Sequence, residues 1–333
     1  MKYVIIGAGA AGVNAAEILR KRDNKGEIVV IGEEKFFPYN RYRLTDFFCD
    51  AIGQDDLFYT STEFFREIGA TFRKGQSVKA IKPEEKCIKL SHNEVVNYDK
   101  LLIATGGVPS LGPVLKPYAG HIQRYYSLQD ICVLKKKLPQ IRSCIVFGQG
   151  LSSLDLMCGL HKLKKEVTYI IRGSKPQWPI LDAGLIDEMF EFLKEKGIKI
   201  ISDDRVTAIE AVEQGCRVLT LKQRELTADV VFAWDNYVPN ISLVSGTGIE
   251  KKSGILVNEY LETSVTDIYA AGDCAEIYHP GRKTYWVNFG WPNALEQGEV
   301  AAVNMTGQKK PYQVHEILDF SLMGKQLKAR WWE

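Results

Sequence analysis

Met1 to Ile6 is apolar throughout apart from Lys2, the pattern of a short strand buried on both faces of a parallel sheet. Gly7-Ala8-Gly9-Ala10-Ala11-Gly12 follows at once, then an alanine-rich stretch that predicts a helix to about Arg20, then a second apolar strand over Glu27 to Ile31. The same order returns in mid-chain. Ser143 to Phe147 predicts a strand, Gly148-Gln149-Gly150-Leu151-Ser152-Ser153 a glycine turn opening a helix to about Leu163, and Val167 to Ile171 a further strand. Leu101 to Ile103 and Ile268 to Ala271 are two more apolar runs, each ending at a glycine, and Leu318 to Met323 predicts a strand or two near the end. Strand, glycine turn, helix and strand, occurring twice, predict an α/β fold with two Rossmann-like units.

Each glycine of the first turn has a task. Gly7 permits the tight turn, Gly9 lets a pyrophosphate approach the backbone, and Gly12 lets helix and strand pack closely. Ala10 and Ala11 begin a helix whose N–H groups and positive dipole end suit phosphate. Glu33 ends the second strand 21 positions after Gly12, near the offset of an acid that binds ribose hydroxyls. These residues predict a dinucleotide site and leave FAD and NAD both open. In the second turn Gly148 and Gly150 keep their places, Ser153 replaces the third glycine, and Leu151 and Ser152 supply the first helical N–H groups of an expected NAD(P) site. That unit's second strand ends at Arg172, which suits either a 2′-phosphate or solvent, with Lys175 as the second basic candidate.

Leu101-Leu102-Ile103-Ala104-Thr105-Gly106-Gly107 and Ile268-Tyr269-Ala270-Ala271-Gly272-Asp273-Cys274-Ala275 resemble the two segments that complete the FAD site in the FAD-dependent pyridine nucleotide oxidoreductases. That family includes rubredoxin, ferredoxin and nitrite reductase flavoproteins. Phe37-Pro38-Tyr39-Asn40-Arg41 is similar to its P-Y-x-R segment beside the flavin, and Trp291-Pro292-Asn293-Ala294-Leu295-Glu296-Gln297-Gly298 to the helix it aims at the flavin pyrimidine ring. The resemblance implies FAD ligation by Ala104, Thr105, Gly106, Gly272 and Asp273, with Arg41, Trp291, Asn293 and Ala294 beside the ring. It implies a discontinuous FAD domain over 1–109 and 243–307, an inserted NAD(P) domain over 110–242, and a short tail over 308–333 whose basic and aromatic residues, Trp331 and Trp332 among them, suit partner contact. It further implies hydride exchange between NAD(P)H and flavin, with no protein acid or base required, and electron exchange with a separate iron–sulfur protein or subunit.

The chain also departs from the family pattern. Asn236 stands where a glycine is usual and is expected in a left-handed turn. Asp46 and Asp155 stand where the family often pairs lysine with glutamate; two facing carboxylates would repel, so either one holds a proton or the loops sit differently. With Ser153, these departures sustain an alternative: a flavin-bearing assembly or regulatory module without productive nicotinamide binding. Cys49 sustains another, thiol or disulfide reductase chemistry.

Composition narrows the field. Forty-three basic and 41 acidic side chains leave a net charge of +2, which gives no electrostatic case for nucleic acid or an anionic membrane. Seven scattered cysteines, none in a C-x-x-C spacing, give no disulfide framework, iron–sulfur site or zinc site within the chain. The sequence begins directly on a strand and has no apolar run long enough for a bilayer, so a cytoplasmic location is expected.

Overall fold

The computed structural model describes residues 1–148, 150–173, 183–233, 236–314, 317–322 and 325–330. Along the chain the framing elements are β1 (Lys2–Ile6), α1 (Ala10–Arg22), β2 (Glu27–Gly32), α2 (Leu44–Phe48), β3 (Ala70–Lys74), β4 (Lys100–Ile103), α3 (Leu128–Lys137), β5 (Ser143–Phe147), α4 (Leu151–Lys162), β6 (Glu166–Ile170), α5 (Ala183–Glu195), β7 (Lys199–Ile201), β8 (Val230–Ala233), β9 (Ile268–Ala270) and α6 (Trp291–Met305). They divide into two compact units, one of residues 1–40, 58–108 and 238–314, the other of 41–57, 109–237 and 315–333.

The first unit holds a five-stranded sheet in the order β9-β4-β1-β2-β3, every pairing parallel. Val4 and Ile5 of β1 and Leu101, Leu102 and Ile103 of β4 are fully buried, as two-faced burial demands of central strands. Strand order reverses between β1 and β4, which makes the carboxyl end of β1 the switch point where α/β sheets open to ligands. The chain places Gly7 there. A three-stranded antiparallel sheet, Val78–Lys82, Cys87–Leu90 and Val95–Asn97, precedes β4.

The second unit repeats this plan on a smaller scale. Its parallel sheet runs β7-β6-β5-β8, and an antiparallel sheet of Val206–Ala211, Cys216–Thr220 and Glu225–Ala228 precedes β8. Both glycine turns therefore follow the first strand of a parallel sheet, as the apolar runs predict. The tail forms an antiparallel pair, Ile317–Leu322 with Lys325–Arg330. Met323 and the Trp331-Trp332 dipeptide lie outside the described residues.

The partition differs from the expected one in two segments. Residues 41–57 and 315–333 group with the second unit, and the crossings between units fall at 108/109 and 237/238. The first difference has a packing cause. A Cβ placed on Gly159 of α4 would lie 2.7 Å from Thr45 Cγ2 and 3.3 Å from Cys49 Sγ, so α2 rests on the bare backbone of α4.

Candidate functional site

The first glycine turn is shaped by close approach at two positions and by open space at the third. Gly7 has φ +110°, and a Cβ on it would lie 2.0 Å from the Ala104 carbonyl oxygen. A Cβ on Gly12 would lie 2.0 Å from the Gly7 oxygen. Neither position admits a side chain. A Cβ on Gly9, in contrast, would meet no atom within 4 Å. Protein packing does not explain glycine there, and a ligand lying against the backbone does. Gly9 caps α1 without a side-chain hydrogen bond and the first turn has no acid, so the N–H groups and dipole of Ala10, Ala11 and Gly12 remain suited to phosphate.

The later motifs converge on this turn. Ala104 N donates to Ile6 O at 2.7 Å, holding the end of β4 beside the end of β1. The Thr105 hydroxyl donates to Asn240 O at 2.7 Å, and Asn240 N donates to Gly106 O at 2.8 Å. Gly106 has φ +67°, and a Cβ on it would meet no atom within 4 Å, a second place where bare backbone faces open space. Gly272, at φ +80°, lies between the two helices: its Cβ position is 3.2 Å from Ala11 Cβ on α1 and 3.8 Å from Ala294 Cβ on α6. Asp273 Oδ1 accepts from Gly290 N at 3.1 Å, which ties the end of β9 to the entry of α6. Glu33 lies exposed just beyond β2 and accepts from the Ser77 hydroxyl at 2.9 Å.

Helix α6 starts with Trp291-Pro292 after Gly290, has no side-chain cap and no acid in its first turn, and so presents a second positive helix end. Trp291 packs edge-on against Tyr59 with ring centroids 5.4 Å apart. Asn293 is buried, donating to Phe289 O at 2.8 Å and accepting from the Tyr312 hydroxyl at 3.4 Å, so its amide holds the helix start in place. Two residues at the end of the family-like stretch have organising roles that the motif does not assign. Gln297, fully buried, accepts from Gly272 N at 2.7 Å and donates to Asn288 O at 3.2 Å. Gly298 brings α6 against α1, since a Cβ there would lie 2.2 Å from Ala11 O. The residues fit a dinucleotide such as FAD: two uncapped helix ends, two bare-backbone positions and the Asp273 carboxylate belong to one connected network.

In the second unit Gly148 O accepts from the buried Tyr169 hydroxyl at 2.9 Å, and Gly150 caps α4 without a side-chain bond. Leu151 and Ser152 form the first helical residues, as expected. Ser153 is fully buried and its hydroxyl has no hydrogen-bond partner among the described residues, so the third-glycine position is filled by a side chain that packs there without polar compensation from them. Arg172 follows β6 in a bend and is half-buried. Lys175 lies outside the described residues.

The expected repulsion between Asp46 and Asp155 is present, since Asp46 pushes the Asp155 carboxyl up, but each carboxylate bonds elsewhere. Asp155 accepts a short hydrogen bond from the Thr45 hydroxyl, and Asp46, one residue along α2, turns to Arg43 at 3.7 Å on an exposed flank. Adjacent helical residues point about 100° apart, which separates the two carboxylates. Burial pushes the Asp155 carboxyl up to about 6, with a smaller upward push from Asp46, while the Thr45 bond pulls it down. Asp155 keeps exposed surface, so solvent limits that rise. Arg41, also in this unit, donates to Tyr126 O at 3.1 Å and lies over the Tyr126 ring at 4.8 Å.

Two further expectations are settled locally. Cys49 donates its thiol to Gly159 O at 3.4 Å, and burial pushes it up to about 11, the opposite of an activated nucleophile. Asn236 belongs to an extended strand, Asn236–Pro239, and not to a left-handed turn; its neighbours Trp234 and Asp235 lie outside the described residues. Among the described residues no three His, Cys, Asp or Glu side chains cluster to hold a metal, and no helix is long and apolar enough to cross a membrane.

Comparison with known proteins agrees with this geometry. Residues 1–301 match the pyridine nucleotide-disulphide oxidoreductase family. The assimilatory nitrate reductase electron transfer subunit of Bacillus subtilis (strain 168) is 27% identical over 276 residues, 83% of this chain but only 36% of that protein, so the chain spans about a third of that relative. The NADH-rubredoxin oxidoreductase of Clostridium acetobutylicum is 28% identical over 319 residues, 93% of this chain and 76% of that one. The crystal structure of a covalent putidaredoxin reductase–putidaredoxin complex superposes with a TM-score of 0.90 at 26% identity, covering 98% of this chain and 80% of that one. With two glycine turns on two parallel sheets, a Gly272-Asp273 segment meeting the first of them, and a match running through residue 301, the chain belongs to the pyridine nucleotide-disulphide oxidoreductase family.

Proposed function

We propose that this protein is an FAD-dependent oxidoreductase that exchanges hydride with NAD(P)H and electrons with a separate iron–sulfur redox protein or subunit. One observation carries the reading: Gly272 lies between Ala11 and Ala294, so both uncapped helix ends and Asp273 gather at the switch point of the first sheet. Gly7, Gly9, Ala10, Ala11 and Gly12 hold the pyrophosphate, and Glu33 the adenosine ribose. Ala104, Thr105 and Gly106 give the cofactor a bare backbone edge, and Asp273 takes its ribityl or pyrophosphate portion. The positive end of α6 favours negative charge at the ring, and Trp291, Asn293 and Ala294 build that end.

Bound flavin supplies acceptance of an electron pair as hydride and release of single electrons. The chain's part is to hold and orient. Gly148, Gly150, Leu151 and Ser152 receive the nicotinamide dinucleotide at the start of α4, with Arg172 at the ribose of its adenosine half. The onward partner is assigned by relatives whose names pair them with rubredoxin or putidaredoxin. All seven cysteines are free, which suits the reducing cytoplasm.

Anaerobic titration of the FAD-loaded protein with NADH and with NADPH tests the proposal. Loss of the oxidised-flavin absorption with either nucleotide supports it and assigns the coenzyme. No bleaching by either would leave a flavin-bearing module and refute the nicotinamide half.

A further inference from the structure

The second unit contains a polar chain that the proposed function does not use. The Tyr125 hydroxyl lies 2.7 Å from Thr45 Oγ1, and Thr45 in turn makes its short bond to Asp155 Oδ2. Aromatic rings wall in Tyr125: Phe48 at 5.5 Å and Phe232 at 6.3 Å, both edge-on. Thr45 has one proton and cannot donate to both neighbours. With Asp155 ionised the arrangement has a single consistent direction: Tyr125 donates to Thr45, and Thr45 donates to Asp155. A proton on Asp155 that donates to Thr45 reverses that bond, turns the Thr45 proton toward Tyr125, and forces the phenol to seek another acceptor among rings.

We propose that Tyr125, Thr45 and Asp155 form a one-way hydrogen-bonded relay in which Thr45 and Tyr125 position Asp155 and make nucleotide binding at the start of α4 proton-linked. The nucleotide half of this statement rests on the proposed function; the relay itself does not. Asp155 lies four residues beyond Leu151, about 6 Å further along the helix axis. A dinucleotide pyrophosphate received at the glycine turn brings negative charge into the range of this carboxyl and favours its protonated form. Among the described residues the charged and titratable groups around it are Asp46 and Cys49 on α2, Lys162 and Cys158 on α4, and Tyr125; Lys135 of α3 acts on Cys49 and is itself held by Asp50 and the Phe47 carbonyl. Lys162 opposes protonation and Asp46 favours it.

The sign follows from linkage. A carboxyl that gains a proton on binding gives tighter binding on the acid side, and affinity falls as pH rises through the carboxyl's range in the complex until it levels off. For phosphate charge roughly 8 Å away at an intermediate effective dielectric constant, the fall is about fivefold.

The test uses the FAD-loaded full chain, with NAD+ and NADP+ as probes. Carbon-13 NMR of labelled aspartate, assigned by comparison with Asp155→Asn, follows the Asp155 carboxyl directly, and calorimetry in buffers of different ionisation heat counts protons taken up on binding. We expect a wild-type midpoint near 6, a higher midpoint in Thr45→Val, and restoration in Thr45→Ser. Tyr125→Phe shifts the midpoint less, since Thr45 still donates. Proton uptake and the fivefold pH dependence vanish in Asp155→Asn. A Thr45→Val titration identical to wild type overturns the relay. Binding without proton uptake overturns the coupling alone. Failure of both nucleotides to bind at any pH overturns the proposed function together with the coupling, and the carboxyl titration still decides the relay.

Discussion

Replacing Gly298 with alanine isolates the geometry on which the FAD site depends. The added Cβ would lie 2.2 Å from Ala11 O and 2.9 Å from Ala11 Cα, all of it backbone that no rotamer change can move. Ordinary contact begins at about 3.4 Å, so α1 and α6 must part by roughly 1 Å. Their starts carry the two positive helix ends, and Gly272 is held between them by Ala11 and Ala294. Overpacking of this kind costs about 1–3 kcal/mol. For a unit of this size that lowers melting by roughly 2–12 °C. Gly246→Ala, outside the site, is the control: it meets no neighbour within 4 Å and costs only the strain of φ +76°, about 1–2 kcal/mol. Thermal melting followed by circular dichroism, with flavin fluorescence reporting cofactor release, separates the two. Gly298→Ala should lose FAD at lower temperature and bind it more weakly at 25 °C, whereas Gly246→Ala should keep FAD affinity and show the smaller melting change. A Gly298→Ala protein with wild-type melting and full FAD content would refute the argument that helix contact sets the site.

Ser153→Ala removes a buried hydroxyl without a partner among the described residues and improves helix propensity, so denaturant unfolding should show a gain of about 1 kcal/mol, with nucleotide binding retained. Asp273→Asn keeps the shape but loses the charged acceptor at Gly290 N; FAD affinity measured by fluorescence titration should fall about tenfold. Cys49, held up to about 11, is under about 0.1% thiolate at pH 7.5, so alkylation followed by mass spectrometry should be slow and Cys49→Ser should keep NAD(P)H-dependent flavin reduction. Asp267 accepts from Lys100 and Lys86, both at 2.6 Å, which hold its carboxyl below the usual range. Its stabilising contribution is complete above the unfolded carboxyl's range and is lost as pH falls through the lowered folded value; Asp267→Asn should cost about 1 kcal/mol at pH 7 in denaturant unfolding, and progressively less as pH falls below the unfolded carboxyl's range.

What the sequence could reveal follows from how local each constraint is. Gly7 and Gly12 are legible because the chain segments that exclude their side chains belong to one strand–turn–helix unit or pair with it in a fixed register, so the spacing carries the geometry. Gly9 is legible for the opposite reason: glycine persists where the protein itself would allow more. The helix end at Trp291 and the Gly272-Asp273 corner are visible as separate motifs, but their meeting is not, because it depends on Gln297 and Gly298 joining positions distant in the chain. The segment 41–57 marks the limit most clearly. Its residues read as part of the flavin side, yet what decides its grouping is the absence of a side chain at Gly159, more than a hundred positions later, which admits Thr45 and Cys49 against the α4 backbone. The same contact explains why Asp46 is the wrong partner for Asp155. This chain has two acids where the family often pairs lysine with glutamate, but a helix turns each successive side chain by about 100°, and the residue that bonds to Asp155 on α4 is Thr45. A threonine there adds a donated hydrogen bond that opposes the push from Asp46, and Tyr125 extends the chain on the other side. Departures from a family pattern are therefore best judged after asking which neighbouring side chain the backbone presents.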